Sequence, residues 1–304
     1  MKRTAWIFPG QGSQYVGMGA DSFQADEVAK ATFASADAVL GFSLSDICFN
    51  GPELELRQTR NTQPAIFLHS VVLVRLMGQD HLPDMVAGHS LGEYSALMVA
   101  SALTFEDGLR LVRLRGELMQ RAGELEPGTM AAVIGMTPDV TIDLCREASA
   151  AGVVQPANFN SPGQIVISGS VVGVRKAMEL AKQRGAKMVK ELVVSGAFHS
   201  PLMGSAQVGL RSALEQTSIR DARIPVYTNV TAEPVTRADE IRELLYRQLS
   251  SPVRWEESVR NMVRDGAGRF LEVGPGKVLQ GLVKRIDPAV ETSGVDKYGD
   301  IKKD

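Results

Sequence analysis

The chain has 304 residues, of which 44% are hydrophobic and 22% are charged. This composition excludes a disordered or fibrous protein and provides enough apolar surface for one large domain or for a domain with an insertion. The formal net charge is −2 and the Lys and Arg residues are scattered, so there is no basic stripe and a nucleic acid partner is not expected.

The positions of the cysteines and of the apolar segments indicate which kinds of site and which cellular location to expect. Cys48 and Cys145 lie far apart without metal-ligand spacing, so neither a disulfide framework nor a metal site is expected, and no cofactor is indicated. The first apolar run stops at Pro9 and Gly10, which is too short for a signal peptide, and no later segment is apolar enough to span a bilayer. We therefore expect a cytoplasmic protein with no membrane partner. We also expect a monomer.

Short apolar runs bounded by Gly or Pro predict strands at residues 5–8, 85–87, 226–227 and 270–273. Longer segments with helical periodicity separate these runs. Strands that alternate with helices in this way are typical of a parallel sheet wrapped in helices. The sequence therefore predicts an α/β protein.

The sequence GHSLG at residues 88–92 has the G-x-S-x-G pattern of a nucleophilic serine on a sharp turn. Residues 84–87 supply a strand before it and residues 93–100 a helix after it, so the pattern has its required context. We therefore favour a nucleophilic Ser90 over a chance glycine-serine turn. The main-chain N–H of Leu91 lies at a helix start, where it can donate to an oxyanion, and a second donor is still needed.

We predict a helix that opens with a capping box at Thr104 and continues to Arg121. At about 100° per residue, one face of this helix is apolar and carries Leu111, Val112, Leu114, Leu118 and Met119. Arg115 falls on the same face, whereas Arg110 and Arg113 lie opposite. A guanidinium there needs a carboxylate, either from an internal Asp or Glu or from a substrate, and a snorkelling side chain is the other alternative.

Residues 129–194 differ from the rest of the chain, where single strands alternate with helices. Their predicted order is strand, helix, strand, strand, helix, strand. The strands are predicted at 130–134, 153–158, 164–168 and 187–193, and the helices begin near Pro138 and Val172. This order is that of a ferredoxin-like α+β unit. We therefore predict a small subdomain at 129–194, inserted into a large domain formed by 1–128 and 195–304.

A serine nucleophile needs a base, and the chain has four histidines. His69 falls in a helical run and His81 in a loop, and both are more simply structural or exposed. The side chain of His89 is expected to point away from its neighbour, Ser90. His199 remains as the candidate base.

The surroundings of His199 fit that role. Ser200 and Pro201 predict the N-cap and first position of a helix, and the positive end of a helix favours neutral imidazole. No Asp or Glu between Ser90 and His199 stands in a persuasive triad setting. We therefore expect a dyad whose histidine is oriented by a main-chain carbonyl.

Further motifs resemble those of the malonyl-CoA:acyl carrier protein transacylases. They are FPGQGSQ at 8–14, GHSLGE at 88–93, NFNSPGQ at 158–164, GAFHS at 196–200 and VGPG at 273–276. The likeness runs from Trp6 almost to Val295. It implies a hydrolase-like parallel-sheet domain with an inserted ferredoxin-like α+β subdomain, which agrees with the predicted order of elements.

The resemblance implies transfer of malonyl from malonyl-CoA to the phosphopantetheine thiol of a holo acyl carrier protein, through an ester on Ser90. His199 is then the base, held by the main-chain carbonyl of Gln248. Gln11 is the second oxyanion donor, beside Leu91. Malonyl-CoA is a substrate and the phosphopantetheine belongs to the carrier, so no resident cofactor is implied.

The resemblance also implies substrate contacts. Arg115 grips the free carboxylate of malonyl, and Met119 is expected beside it. Phe198 fills the space that an α-methyl group needs, which disfavours methylmalonyl. Asn160 lines the cleft between the domains, although an Asx-turn residue before Ser161 is a close alternative.

Fatty acid synthesis is the expected pathway, and a trans-acting role on a polyketide assembly line is the alternative. A serine thioesterase or other hydrolase is a rival, because G-x-S-x-G occurs there equally well. A non-catalytic carrier-binding module is a further rival.

Overall fold

The computed structural model describes residues 2–78 and 82–301, so His81 lies outside the described residues. The strands are β1 Arg3–Phe8, β2 Met85–Gly88, β3 Gly128–Ile134, β4 Val154–Ser161, β5 Gln164–Ser170, β6 Met188–Glu191, β7 Val226–Tyr227, β8 Pro234–Val235, β9 Ala267–Val273 and β10 Glu291–Val295. The α-helices are α1 Ala20–Ala25, α2 Glu27–Leu40, α3 Leu44–Asn50, α4 Glu53–Arg57, α5 Thr59–Met77, α6 Gly92–Val99, α7 Phe105–Leu125, α8 Pro138–Ala148, α9 Val171–Gln183, α10 Gly204–Gln216, α11 Ala238–Gln248, α12 Trp255–Arg264 and α13 Val278–Ile286. Within these ranges, no helix combines the length and the apolar composition that a membrane span needs.

The larger sheet has the strand order β10-β9-β1-β2-β7-β8. Its first five strands pair in parallel, and β8 pairs with β7 in the antiparallel sense. The predicted strands are present as β1, β2, β7 and β9. The sequence does not predict β8 or β10, because β8 is only two residues long and β10 buries only Val295. An edge strand of this kind has no apolar run to reveal it.

Both faces of the larger sheet are buried. Along β1, Ala5 and Ile7 pack into one apolar cluster, and Trp6 and Phe8 pack into another on the opposite face. Since successive side chains of a strand point to opposite faces, a strand covered on both sides must be apolar throughout. This explains why the predicted strands are continuous apolar runs.

The smaller sheet has the order β4-β5-β3-β6, and all its neighbouring strands are antiparallel. The helices α8 and α9 connect these strands in the order that defines a ferredoxin-like unit. Gly163, at φ 71°, makes the turn between β4 and β5. The predicted fold class is therefore confirmed, while the domain boundaries at 128/129 and 194/195 stay a prediction.

Main-chain hydrogen bonds join the two sheet regions. The N–H of Phe159 in β4 donates to the carbonyl of Val253 at 2.9 Å, and the N–H of Val253 donates to the carbonyl of Ala157 at 2.8 Å. These bonds set the small sheet against the segment that precedes α12. A cleft lies beside the carboxyl ends of β1 and β2, where Gln11 and His89 line it.

Candidate active site

Ser90 lies on the turn between β2 and α6, so the predicted order of strand, turn and helix is present. Its φ of 51° is in the left-handed region, which is strained for a residue with a side chain. A Cβ added at Gly88 would lie 1.8 Å from the carbonyl carbon of Gly92, and one added at Gly92 would lie 2.1 Å from the carbonyl oxygen of Phe8. The two glycines are therefore required by close backbone contact.

Asn229 braces this turn from the neighbouring strand. Its Oδ1 accepts from the N–H of Ser90 at 2.6 Å, and its Nδ2 donates to the carbonyl of Gly88 at 2.7 Å. Asn229 is fully buried and follows β7, which pairs with β2. Sequence reasoning missed this residue, and the only available signal was its position after the carboxyl end of a predicted strand.

His199 lies against the serine hydroxyl. Its Nε2 is 2.8 Å from Oγ of Ser90, and its Nδ1 is 2.9 Å from the carbonyl oxygen of Gln248 and 3.2 Å from that of Ser251. Because both partners of Nδ1 can only accept, Nδ1 carries the proton and Nε2 is free to accept one. The histidine is oriented by main-chain carbonyls, and no carboxylate of a described residue contacts it.

The protonation state of His199 is set by its surroundings. Burial lowers the pKa of its imidazole to about 3, and the positive charge of Arg115 acts in the same direction. Ser200 caps the 3₁₀ turn Pro201–Met203, as predicted, with its Oγ accepting from Leu202 N at 3.3 Å. The predicted neutral imidazole is therefore explained mainly by burial and a nearby cation.

Arg115 is completely buried on α7. Its Nη1 donates to Oε1 of Gln63 at 2.8 Å, and its Nη2 donates to Oε1 of Gln248 at 2.9 Å and to Oγ of Ser90 at 3.1 Å. The ring centroid of Tyr94 lies 5.7 Å from the guanidinium carbon.

These contacts decide between the alternatives for Arg115. Complete burial excludes a snorkelling side chain. In residues 2–78 and 82–301, no carboxylate oxygen lies within 4.0 Å of the guanidinium, so none of these residues forms an ion pair with it. The partners of this cation are amide and hydroxyl oxygens, which leave its charge unpaired.

Ser90, His199 and Arg115 share one cleft of about 130 Å³. Its lining consists of Gln11, Gln63, His89, Ser90, Leu91, Arg115, Met119, Met130, Asn158, Leu192, Val194, Phe198 and His199. Gln248 lies directly behind this lining and is fully buried. In the described part of the chain, no group of His, Cys, Asp and Glu side chains is arranged to hold a metal ion.

Several lining residues escaped the sequence analysis. Met130, Leu192 and Val194 come from the smaller sheet and its exit, where their apolar character predicts only core packing. Gln63 donates from Nε2 to the sulfur of Met119 at 3.2 Å, while its Oε1 holds Arg115. It is therefore a positioning residue whose partners lie in another helix, and no local pattern reveals it.

Gln11 and Leu91, the predicted oxyanion donors, both border the cleft beside Ser90. The side-chain Nε2 of Gln11 donates to Oγ1 of Thr59 at 3.2 Å, and Thr59 in turn contacts Oγ of Ser195 at 2.7 Å. The main-chain N–H groups of Gln11 and Leu91 have no hydrogen-bond acceptor among the described residues. They are therefore available to a ligand beside Ser90, which is the requirement for an oxyanion hole.

Asn160 is placed behind the cleft. Its Oδ1 is 2.9 Å from Nε2 of His89, and its side chain is not part of the cleft lining. This contact also differs from an Asx turn, in which the side chain bonds to nearby backbone. Asn158, two residues earlier in β4, lines the cleft instead. The contact of Asn160 with substrate therefore stays a prediction.

Comparison with known proteins agrees with this geometry. The family model for the acyl transferase domain matches residues 5–299. The malonyl CoA-acyl carrier protein transacylase of Bacillus subtilis (strain 168) is 45% identical over 297 residues, which cover 97% of this chain and 94% of the relative.

Solved structures with a similar fold include members of the same family. The malonyl CoA-acyl carrier protein transacylase from Coxiella burnetii has a TM-score of 0.95 and 39% identity, over 99% of this chain and 96% of that one. A malonyl-transacylase in complex with its type II PKS acyl-carrier protein has a TM-score of 0.95 and 42% identity, over 98% and 97% of the two chains. The chain therefore belongs to the malonyl CoA-acyl carrier protein transacylase family, and it is an acyltransferase.

Proposed function

We propose that this enzyme transfers malonyl from malonyl-CoA to the phosphopantetheine thiol of an acyl carrier protein, through an ester on Ser90, and thereby supplies fatty acid synthesis. The observation that carries the proposal is the buried Arg115 cation, which has no carboxylate partner in the ranges 2–78 and 82–301 and donates to the Ser90 hydroxyl at 3.1 Å. A cation there suits an acyl group with a free carboxylate. A cytoplasmic location and a monomeric state stay predictions.

In the first half-reaction, Ser90 Oγ attacks the thioester carbonyl carbon of malonyl-CoA while Nε2 of His199, at 2.8 Å, takes the hydroxyl proton. The carbonyl oxygen becomes an oxyanion, which the main-chain N–H groups of Gln11 and Leu91 stabilise. The carbon–sulfur bond then breaks, and His199 returns the proton to the CoA thiolate. The product is a malonyl ester on Ser90.

In the second half-reaction, the phosphopantetheine thiol of the carrier gives its proton to His199 and attacks the ester carbonyl carbon. The same two N–H groups stabilise the oxyanion, and His199 protonates Ser90 Oγ as the ester bond breaks. The enzyme returns to its starting state after each transfer. This is a ping-pong cycle in which His199 alternates between base and acid.

Arg115 is the proposed carboxylate clamp. One N–H of each terminal nitrogen is held by the amides of Gln63 and Gln248, which leaves one on each for the cleft. The one that now meets Ser90 is released when that hydroxyl becomes an ester. A malonyl carboxylate can then accept from both nitrogens, in the bidentate geometry that suits a guanidinium.

Two further cleft residues are proposed to shape the acyl site. Phe198 is 6% exposed and directly precedes the base, so its ring is suited to exclude an α-methyl group such as that of methylmalonyl. Met119 lies one helical turn after Arg115 on α7 and lines the same cleft. Its flexible thioether is suited to pack against the short acyl chain.

Mass analysis and product analysis with malonyl-CoA test the proposal. We expect a malonyl adduct on the protein after brief exposure to malonyl-CoA, and rapid loss of that adduct when holo carrier protein is added. Free malonate formed equally fast with and without the carrier would instead identify a hydrolase. A protein that forms no adduct at all would contradict the catalytic proposal and favour a binding module.

A polyketide carrier is the second candidate acceptor, because one of the similar solved structures is a complex with a type II PKS acyl-carrier protein. The chemistry at Ser90 is the same in both cases. Comparison of kcat/KM for holo carriers from the two pathways distinguishes them. The carrier with the higher value identifies the physiological acceptor.

For Arg115→Ala, we expect kcat/KM for malonyl-CoA to fall by about 10²- to 10³-fold, because a buried charge pair with the substrate carboxylate is lost. Reaction with acetyl-CoA should change by less than about 10-fold, since acetyl has no carboxylate to lose. Initial rates of enzyme acylation with both thioesters measure this difference.

Arg113→Ala is the matched control on the same helix. Arg113 contacts Glu117 at 2.6 Å and lies over the ring of Phe42, away from the cleft. Neither substrate should respond to this change. Equal losses for malonyl and acetyl in Arg115→Ala would remove the clamp from the mechanism.

A further inference from the structure

Glu93 is a buried carboxylate that the mechanism above does not use. It lies in the first turn of α6 and is 1% exposed. Its Oε2 accepts from the N–H of Asn229 at 2.9 Å and from Nε2 of Gln248 at 3.0 Å. Within residues 2–78 and 82–301 it has no ion pair. Burial of an unpaired carboxylate is costly, so its presence beside the active site needs a physical reason.

The side-chain amide of Gln248 connects Glu93 to Arg115. Its Nε2 donates to Glu93 and also to the carbonyl of Ser90 at 3.0 Å, and its Oε1 accepts from Nη2 of Arg115 at 2.9 Å. An ionised carboxylate only accepts hydrogen bonds and a guanidinium only donates them. Glu93, the carbonyl of Ser90 and Arg115 together therefore determine which way this amide points.

The interposed amide has an advantage over a direct ion pair. A carboxylate in contact with Arg115 would occupy N–H groups that a substrate carboxylate needs. A carboxylate one amide away still stabilises the cation, because charges act over longer distances in a buried, low-dielectric site. The N–H groups of Arg115 that face the cleft stay free.

We propose that Glu93 is a positioning residue for acyl selectivity, which acts through the Gln248 amide to keep the Arg115 guanidinium directed into the cleft. This inference rests on the proposed function, because it explains how the carboxylate clamp is held. Glu93 does not touch the substrate. The main-chain carbonyl of Gln248, which holds His199 at 2.9 Å, does not depend on the amide orientation. Loss of Glu93 should therefore affect malonyl far more than acetyl.

Proton binding to Glu93 should have the same effect as its replacement. Burial raises the pKa of its carboxyl to about 7, against the opposing effects of the Asn229 N–H, the Gln248 amide and Arg115. As the pH falls through this value, Glu93 becomes neutral, and the amide loses the charged acceptor that helps to hold it against Arg115. Malonyl selectivity is therefore expected to be full above about pH 7 and to decline below it.

The imidazole and phenol groups near this network have pKa values that are shifted away from neutral pH. Burial lowers the pKa of His89, which lines the cleft. Burial raises the pKa of Tyr94, which follows Glu93 on α6, to about 12. Burial and Arg115 lower the pKa of His199 to about 3. Arg115, on α7, stays charged because a guanidinium keeps its proton at all ordinary pH values. The malonyl carboxylate stays ionised, since ordinary carboxyl groups titrate near pH 4.

Glu93→Gln tests the inference, because it removes the charge and keeps the shape. The measurement is the rate of Ser90 acylation by malonyl-CoA and by acetyl-CoA, from about pH 6 to about pH 9. We expect the malonyl rate of the variant to fall by about 10- to 100-fold at pH 8, with little change for acetyl. The ratio of the two rates should decline towards low pH in the wild type and stay flat in the variant.

Glu272→Gln is the matched control, since Glu272 is another fully buried carboxylate that accepts main-chain N–H bonds, from Leu279 and Gln280 at 3.0 Å each. It should lose thermal stability without a change in the rate ratio. An unchanged ratio in folded Glu93→Gln would overturn the inference. If that variant does not fold, a wild-type ratio that is constant from pH 6 to pH 8 would overturn it. Failure of the wild type to form any malonyl adduct would refute the proposed function instead.

Discussion

The Ser90→Ala variant is expected to form no malonyl adduct and to transfer malonyl at a rate reduced by about 10⁴-fold or more. Alanine removes the only atom that forms the ester, and the neighbouring groups cannot replace it. Arg115, the oxyanion donors and the cleft remain, so malonyl-CoA should still bind. Intact-mass analysis after brief exposure to malonyl-CoA measures the adduct, and formation of malonyl carrier protein measures the transfer.

Ser95→Ala provides the control for this experiment. Ser95 is a buried serine on the same helix, α6, and its hydroxyl has no hydrogen-bond partner among the described residues. This variant should keep both the adduct and the rate. A malonyl adduct of undiminished yield in Ser90→Ala would show that another residue is the nucleophile.

The His199→Ala variant is expected to slow the acylation of Ser90 by about 10³-fold or more, because the hydroxyl then has no base at hydrogen-bond distance. The residual rate should rise with pH, since Ser90 must lose its proton to solvent. The wild type should show a different pH dependence. Its slow reaction with acetyl-CoA is the suitable measure, because acetyl does not need Arg115. Burial and Arg115 lower the pKa of His199 to about 3, so its imidazole is neutral and the acetyl rate should be constant from about pH 5 to about pH 8.

Quenched-flow acylation at several pH values tests this prediction. His69→Gln is the control, because His69 is also buried, on α5, and contacts Asp296 rather than the cleft. Its loss should reduce thermal stability but not the rate of the folded enzyme. Retention of more than one tenth of the rate in His199→Ala would contradict the role of His199 as base.

Local sequence signals account for most of the fold. The strands β1, β2, β7 and β9 follow from apolar runs, because each strand is covered on both faces. The ferredoxin-like order follows from the alternation of short strands with two capped helices. The edge strands β8 and β10 escape prediction, because residues at a sheet edge carry little of the apolar pattern that reveals a strand.

The candidate site was only partly predictable. Ser90 lies in a motif whose glycines are required by backbone contacts within the same turn, so a short stretch of sequence reveals it. Arg115 is revealed by its position on the apolar face of one helix. Asn229 and Gln63 have no comparable signal, because every partner that explains them lies on another element. The role proposed for Glu93 could not be predicted for the same reason, because its partners Asn229 and Gln248 lie on other elements.

By itself, the sequence determined the α/β class and the ferredoxin-like order of elements, and it identified the candidates for a nucleophilic serine, a base and an inward cation. Periodicity, glycine turns and helix caps are local, so one stretch of chain is enough to read them. Only the tertiary structure decided that Ser90, His199 and Arg115 share one cleft and that main-chain carbonyls orient His199. It also decided that the contacts of Arg115 in the described part of the chain are to amide and hydroxyl oxygens rather than to a carboxylate. These are distances between groups far apart in the chain, and they exist only once the sheets and helices have packed together.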